Sequence, residues 1–103
     1  MDTALLHHLD HNYSLAFERD GNKVRLVVYQ SGVENVCRKE VVKKLEKFTQ
    51  LNEAHLFKGR LQLQKIETGI TVIVKGQPVG IINEKAFAEM LNSSILAVGN
   101  SEK

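Results

Sequence analysis

The sequence predicts an α+β fold built from two copies of one strand-rich unit that ends in a helix. The first observation is internal similarity: shifted by 46 residues, segment 15–45 lies over segment 61–91 without a gap. The second is a change of apolar spacing within each copy, from a period of two residues to helical spacing. Five aligned positions are identical: Leu15/Leu61, Val28/Val74, Val33/Val79, Lys39/Lys85 and Leu45/Leu91.

We interpret segments 13–51 and 60–92 as two β-β-β-α units of a single domain spanning 1–103. Binary patterning alone also produces such a match, and either origin predicts two copies of one unit. One unit has too little core to stand alone, so the copies are expected to pack together. We expect an antiparallel sheet of about six strands with both helices on one face.

In the first unit, residues 15–18 alternate between apolar and polar side chains and predict a strand. A turn is expected at 20–22, a second strand at 24–29 and a short third strand at 33–36. A helix is then predicted over 36–51. Its apolar stripe consists of Cys37, Val41, Leu45 and Phe48.

The second unit repeats this plan, and its helix has a clearer start. Strands are predicted at 60–66, 70–75 and 79–82. Asn83 is a good N-cap for a helix over 84–91, and Glu84 stands favourably in the first turn.

The N-terminal segment predicts a short helix. Asp2 could cap it, and Leu5, Leu6 and Leu9 would form its apolar side. His7 and His11 would then lie four residues apart on one face, a spacing that suits two metal ligands. A structural zinc site needs four ligands, so we expect a surface histidine cluster and no metal.

Composition bounds the class of protein. The chain has 103 residues, 43% hydrophobic and 25% charged, with a formal charge of +2, which indicates an ordinary globular domain. Cys37 is the single cysteine, which excludes a disulfide scaffold. No apolar run could span a bilayer, and the N-terminus does not resemble a secretory signal. We therefore expect a cytoplasmic protein without a membrane partner.

Two surfaces are candidates for binding. The sheet face opposite the helices is expected to carry Arg25, Tyr29, Gln62, Gln64 and Lys75. Val27 and Ile73 lie at equivalent places in its middle and could centre a homodimer interface. The other surface is the predicted first helix, which is basic, with five Lys or Arg against two Glu over 36–50. Four of those basic residues are taken as candidates: Arg38, Lys39, Lys43 and Lys47.

In element order and approximate length, the duplicated plan resembles purine-rich-element-binding (PUR) repeats and Whirly proteins. In those families the exposed sheet face binds single-stranded nucleic acid. The resemblance implies such binding here, with Tyr29 stacking on bases and Arg25 offering a guanidinium plane. The second unit has no outward aromatic residue, and a charge of +2 argues against strong binding. The alternative is a protein-interaction module, such as a dimeric adaptor, inhibitor or chaperone-like protein, that uses an apolar sheet patch or a strand edge.

No arrangement of residues points to catalysis. Cys37 has no histidine or acid at a recognisable spacing. Paired carboxylates, a Ser/His/Asp order and a glycine-rich cofactor fingerprint are all missing from the sequence. We therefore expect a non-enzymatic binding protein without a cofactor.

Overall fold

The first half of the chain is a four-stranded sheet followed by a helix. The computed structural model describes residues 5–101, with side chains over 6–94. The strands are antiparallel, in the order β1-β2-β3-β4. The elements are β1 (Leu5–His8), β2 (Tyr13–Asp20), β3 (Lys23–Gln30), β4 (Val33–Val41) and α1 (Val42–Gln50).

The second half has the same order of elements. Its antiparallel sheet runs β5-β6-β7-β8 and is again followed by a helix. The elements are β5 (Ala54–Leu56), β6 (Leu61–Ile66), β7 (Gly69–Val74), β8 (Gln77–Ile82) and α2 (Glu84–Ser101). The α+β class is thus confirmed, but the chain forms two sheets of four strands rather than one sheet of about six.

The last hairpins of the two halves share a turn geometry. Ser31 and Lys75 both have a φ of 52°, and the glycines that follow, Gly32 and Gly76, have φ of 83° and 82°. Two successive residues with positive φ are characteristic of the type I′ turn, whose twist matches that of paired strands. Each hairpin also has a register shift at the same place relative to its turn.

One core joins both sheets and both helices. Phe87 of α2 meets Phe17 of β2 edge to face, with ring centroids 5.0 Å apart, and meets Phe48 of α1 at 6.2 Å. The inward side chains of both sheets belong to the same buried cluster. The central strands supply Leu15, Leu26, Leu63 and Val72, which are all fully buried.

The predicted N-terminal helix is wrong, because residues 5–8 form strand β1. Leu6 lies opposite Ala16 in the ladder with β2. Leu15, Ala16 and Phe17 are successive buried residues of β2, so both faces of this strand are covered. Strand β1 supplies the neighbour at its edge. The expected capping role of Asp2 lies outside the described residues.

The predicted helix over 36–51 is wrong in its first part. The type I′ turn sends the chain back along β3, and the ladder continues until Val41 pairs with Lys23. Arg38 and Lys39 therefore lie on β4, and α1 begins at Val42 without a side-chain cap. Cys37 is exposed on that strand rather than lying on a helix stripe. Cys37 and Val41 fit helical spacing, but the ladder with β3 pairs the main chain of this segment along one side.

Candidate functional site

The outer face of the first sheet, opposite the helices, carries a continuous line of small and apolar side chains. Leu6, Ala16, Val27 and Cys37 stand directly opposite one another across the four strands. We call these residues the apolar row. Neighbours on one face of a sheet contact each other in this register, so the row forms one strip from edge to edge.

The apolar row is buried in its middle and exposed at its two ends, Leu6 on β1 and Cys37 on β4. Ala16 and Val27 are fully buried, whereas Leu6 is 53% exposed. A shallow pocket of about 320 Å³ opens beside Leu6, and Tyr29 and Gly32 form part of its wall. Val27 was expected to be an exposed interface centre, but its neighbours cover it. The accessible apolar surface is therefore at the sheet edges.

Two cations on this outer face, Arg25 and Lys39, are paired with carboxylates. The Arg25 guanidinium donates to Glu18 at 2.8 Å and to Glu34 at 2.9 Å. Hydrogen bonds to Glu34 and then to Glu18 raise the pKa of Arg25 above its usual value. Lys39 contacts Asp20 at 2.7 Å, and this hydrogen bond lowers the pKa of Asp20. Three carboxylates thus neutralise two candidate nucleic-acid contacts, so this network has no positive charge to offer a phosphate backbone.

The outer face of the second sheet is largely uncharged and mixes polar and apolar side chains. The Gln62 amide bonds to His55 at 2.9 Å and donates to the carbonyl of Gly59 at 3.0 Å. Ile73 is half-buried between Gln62 and Pro78, and Lys75 is exposed in the last turn. Gln64 is also exposed on β6. The expected platform is therefore divided between two sheets that differ in character.

The remaining candidates lie on β4 and α1. Arg38 stacks over the Phe57 ring, with its guanidinium carbon 4.8 Å from the ring centroid. Lys43 and Lys47 are exposed on α1, and within the described part of the chain neither has an ion-pair partner. The expected basic helix thus becomes a basic strand segment followed by a shorter basic helix.

Three of the four sheet edges carry features that oppose pairing with another chain. Strand β5 has only three residues. Strand β4 presents Arg38, Lys39 and Glu40, and charged side chains protect an edge. Strand β8 begins with Gln77 and Pro78, and the amide of Asp10 occupies its Val79 carbonyl at 3.0 Å.

Strand β1, the remaining edge, is one residue longer than β5, and among the described residues it lacks the charges of β4 and the proline and covering contact of β8. Its sequence is Leu-Leu-His-His, without proline or a formal charge, and its ladder with β2 has no register shift. Leu6 adds an exposed apolar side chain at its outer face. An edge of this kind is a template for pairing with another strand.

Two side chains have positions that the sequence interpretation missed. Leu6 was placed in a helix, so its position at a sheet edge was hidden. Lys65 is only 4% exposed; it donates to the Leu51 carbonyl at 2.9 Å and contacts Glu84 at 3.3 Å. The alternation Leu61, Leu63, Lys65 carried a signal for its inward direction.

The expected histidine pair does not form on a helix. His7 lies in β1, whereas His11 has a φ of 54° in the following turn. Among the described residues, no group of three His, Cys, Asp or Glu side chains is placed to hold a metal ion. Within the same residues, neither helix is long and apolar enough to cross a membrane.

Similarity to known proteins gives no further guide to this surface. No family model, curated protein or solved structure matches the chain.

Proposed function

We propose that the chain is a non-enzymatic protein-interaction module that pairs with a second copy of itself through β1. The observation that carries this proposal is the unprotected β1 edge, where the apolar row ends in the exposed Leu6. The other edges are short, charged or covered, so an added strand meets the least opposition at β1.

A two-fold axis perpendicular to the sheet gives this pairing a simple geometry. Antiparallel strands related by such an axis keep the same face outward in both copies. An axis at Leu6 sets this residue opposite its own copy and joins the two apolar rows end to end. Leu6 then packs beside the partner's Leu6, and its exposed area leaves water.

The charge pattern supports a protein partner over a polyanion on this face. Arg25 and Lys39 already contact carboxylates, and nucleic-acid binding depends on cations that neutralise phosphates. A second copy needs no such cations, because its contact is made by main-chain groups and apolar side chains.

The test compares two glutamate substitutions at similarly exposed apolar residues on edge strands. Leu6→Glu adds a charge to β1, and Ile81→Glu adds the same charge to β8, where the side chain is 56% exposed. Light scattering after size exclusion should give the unmodified chain and Ile81→Glu twice the 11.6 kDa chain mass. Leu6→Glu should give the single chain mass, because two facing carboxylates repel each other.

Two results would overturn the proposal: a single-chain mass for the unmodified protein, or a dimer that survives Leu6→Glu. Val27→Arg is a poorer test, because Val27 is fully buried and its replacement would damage the fold itself. Amide spectra of both glutamate variants check that each retains its fold.

Single-stranded nucleic acid is the second candidate ligand. The observation that favours it is the set of basic side chains away from the outer face, with Lys43 and Lys47 exposed on α1. Anisotropy of labelled single-stranded DNA, single-stranded RNA and duplex DNA, at low and physiological salt, tests it. Salt-sensitive binding that is weakened by Lys43→Gln with Lys47→Gln supports this candidate, and no binding at low salt rejects it.

A further inference from the structure

A cleft of about 380 Å³ lies between β4 and the start of β6, and two arginines line it. Arg38 belongs to β4, and Arg60 immediately precedes β6. We call this space the arginine cleft. The other lining residues are Glu34, Asn35, Val36, Cys37 and Leu61.

Arg38 is held in place at this cleft. Its guanidinium stacks over the Phe57 ring at 4.8 Å. A Cβ on the neighbouring Gly59 would stand only 3.2 Å from Nη1 of Arg38, so the glycine leaves the room that the guanidinium occupies. A side chain fixed in this way loses less conformational freedom when it binds a ligand.

Phe57 itself has an unusual backbone conformation. Its φ is 72°, which is rare for a bulky side chain and costs conformational energy. The ring is nevertheless buried beneath Arg38. Such outliers concentrate at binding sites, where the strain serves to position a functional group.

The charges at the arginine cleft are not balanced within the described residues. Neither Arg38 nor Arg60 contacts a carboxylate there. Glu34 is the one carboxylate in the lining, and both of its oxygens bond to Arg25 instead. Two arginines without an ion pair therefore line one cleft, an arrangement that an anion stabilises.

We propose that the arginine cleft binds an oxyanion of the phosphate class, either as free phosphate or as a phosphate monoester. Guanidinium groups bind such oxygens through paired, charge-assisted hydrogen bonds. Strand β4 is also a sheet edge, so main-chain groups that do not pair with β3 add polar contacts along one wall. This inference is independent of the β1 dimer and uses a different part of the molecule.

Amide chemical shifts during titration with inorganic phosphate test the proposal, and adenosine 5′-monophosphate serves as the ester. Saturable shifts are expected at residues 34–38 and 59–61. Arg60→Gln should weaken binding about tenfold while leaving the stack of Arg38 on Phe57 intact. Arg38→Gln should have a similar effect. Lys85→Gln is the matched control, because it removes one exposed cationic charge outside the cleft lining and should leave the affinity unchanged.

The titrations with inorganic phosphate and with the nucleotide distinguish the two sources of phosphate. Equal affinity for both probes assigns the site to phosphate itself, and tighter binding of the nucleotide assigns it to an ester. Shifts that never saturate would overturn the proposal. So would an affinity that the arginine and lysine variants reduce equally, since that response reflects overall charge rather than a site.

Discussion

Gly80 lies where the two halves of the chain contact each other, and the contact depends on the absence of a side chain. Its φ is 151°, and a Cβ there would lie 2.9 Å from Cβ of Leu9 and 3.2 Å from the amide of Asp10. That amide donates to the Val79 carbonyl, so the β1–β2 turn rests directly on β8. Any side chain at this position pushes the first sheet away from the second.

Gly80→Ala should lower the free energy of unfolding by about 3 kcal/mol, since backbone strain and overpacking act together. Gly76→Ala is the matched control, because its φ is 82° but nothing lies within 4 Å of the added Cβ. Strain alone should cost the control about 1 kcal/mol. Urea unfolding measures the loss of unfolding free energy in both variants. Equal losses would show that the close contact with Leu9 does not destabilise Gly80→Ala.

Asp20 gives a prediction for pH dependence. Lys39 lowers the pKa of Asp20 in the folded chain below its ordinary value of 3.8. As the pH falls, Asp20 is therefore protonated at a higher pH in the unfolded chain than in the folded chain. The contribution of the Asp20–Lys39 pair to the free energy of unfolding is present above pH 3.8 and is lost as the pH falls further. Asp20→Asn should be less stable than the unmodified chain at pH 6, with the difference shrinking towards pH 3. A difference that is constant with pH would contradict this assignment.

At the scale of elements, the two helices differ in how they begin. In α2 the side-chain oxygen of Asn83 accepts from the amide of Lys85 at 2.7 Å, which confirms the predicted N-cap. Helix α1 has no such cap and follows directly from β4. The first helix is therefore fixed by packing, whereas the second also has a local start signal.

Asn83→Ala should cost about 1 kcal/mol of unfolding free energy, because it leaves first-turn amides without an acceptor. Asn83→Ser keeps an oxygen at the cap and should recover most of that loss. Thermal unfolding of the two variants measures the difference. If serine and alanine destabilise the chain equally, the cap does not stabilise α2.

The elements that sequence reasoning found are those with local signals. Alternation located β2, β3, β6 and β7, and Asn83 located the start of α2. The interpretation from apolar spacing was wrong at Leu5–His8 and Val36–Val41. These segments fit helical spacing, but they become strands because they pair with β2 and β3. Ladder partners are distant in sequence, so periodicity within a window cannot reveal them.

At the scale of the whole molecule, the predicted binding residues lie on more surfaces than the two that the sequence predicts. The expected cations divide between an ion-paired sheet face, the arginine cleft, α1 and, for Lys75, the turn between β7 and β8. The burial of Val27 and the pairing of Arg25 depend on side chains from several strands, which explains why neither was predictable. Exposed apolar side chains of the first sheet lie at both of its edges, Leu6 on β1 and Val33 on β4.

Sedimentation velocity of the unmodified chain over a concentration series tests the central claim most directly. The account predicts that the species of 11.6 kDa gives way to one of twice that mass as concentration rises, with a midpoint on the order of micromolar for a small interface. The same series for Leu6→Glu should remain at the single-chain mass. An unmodified chain that stays at that mass up to about millimolar concentration would contradict self-pairing through β1.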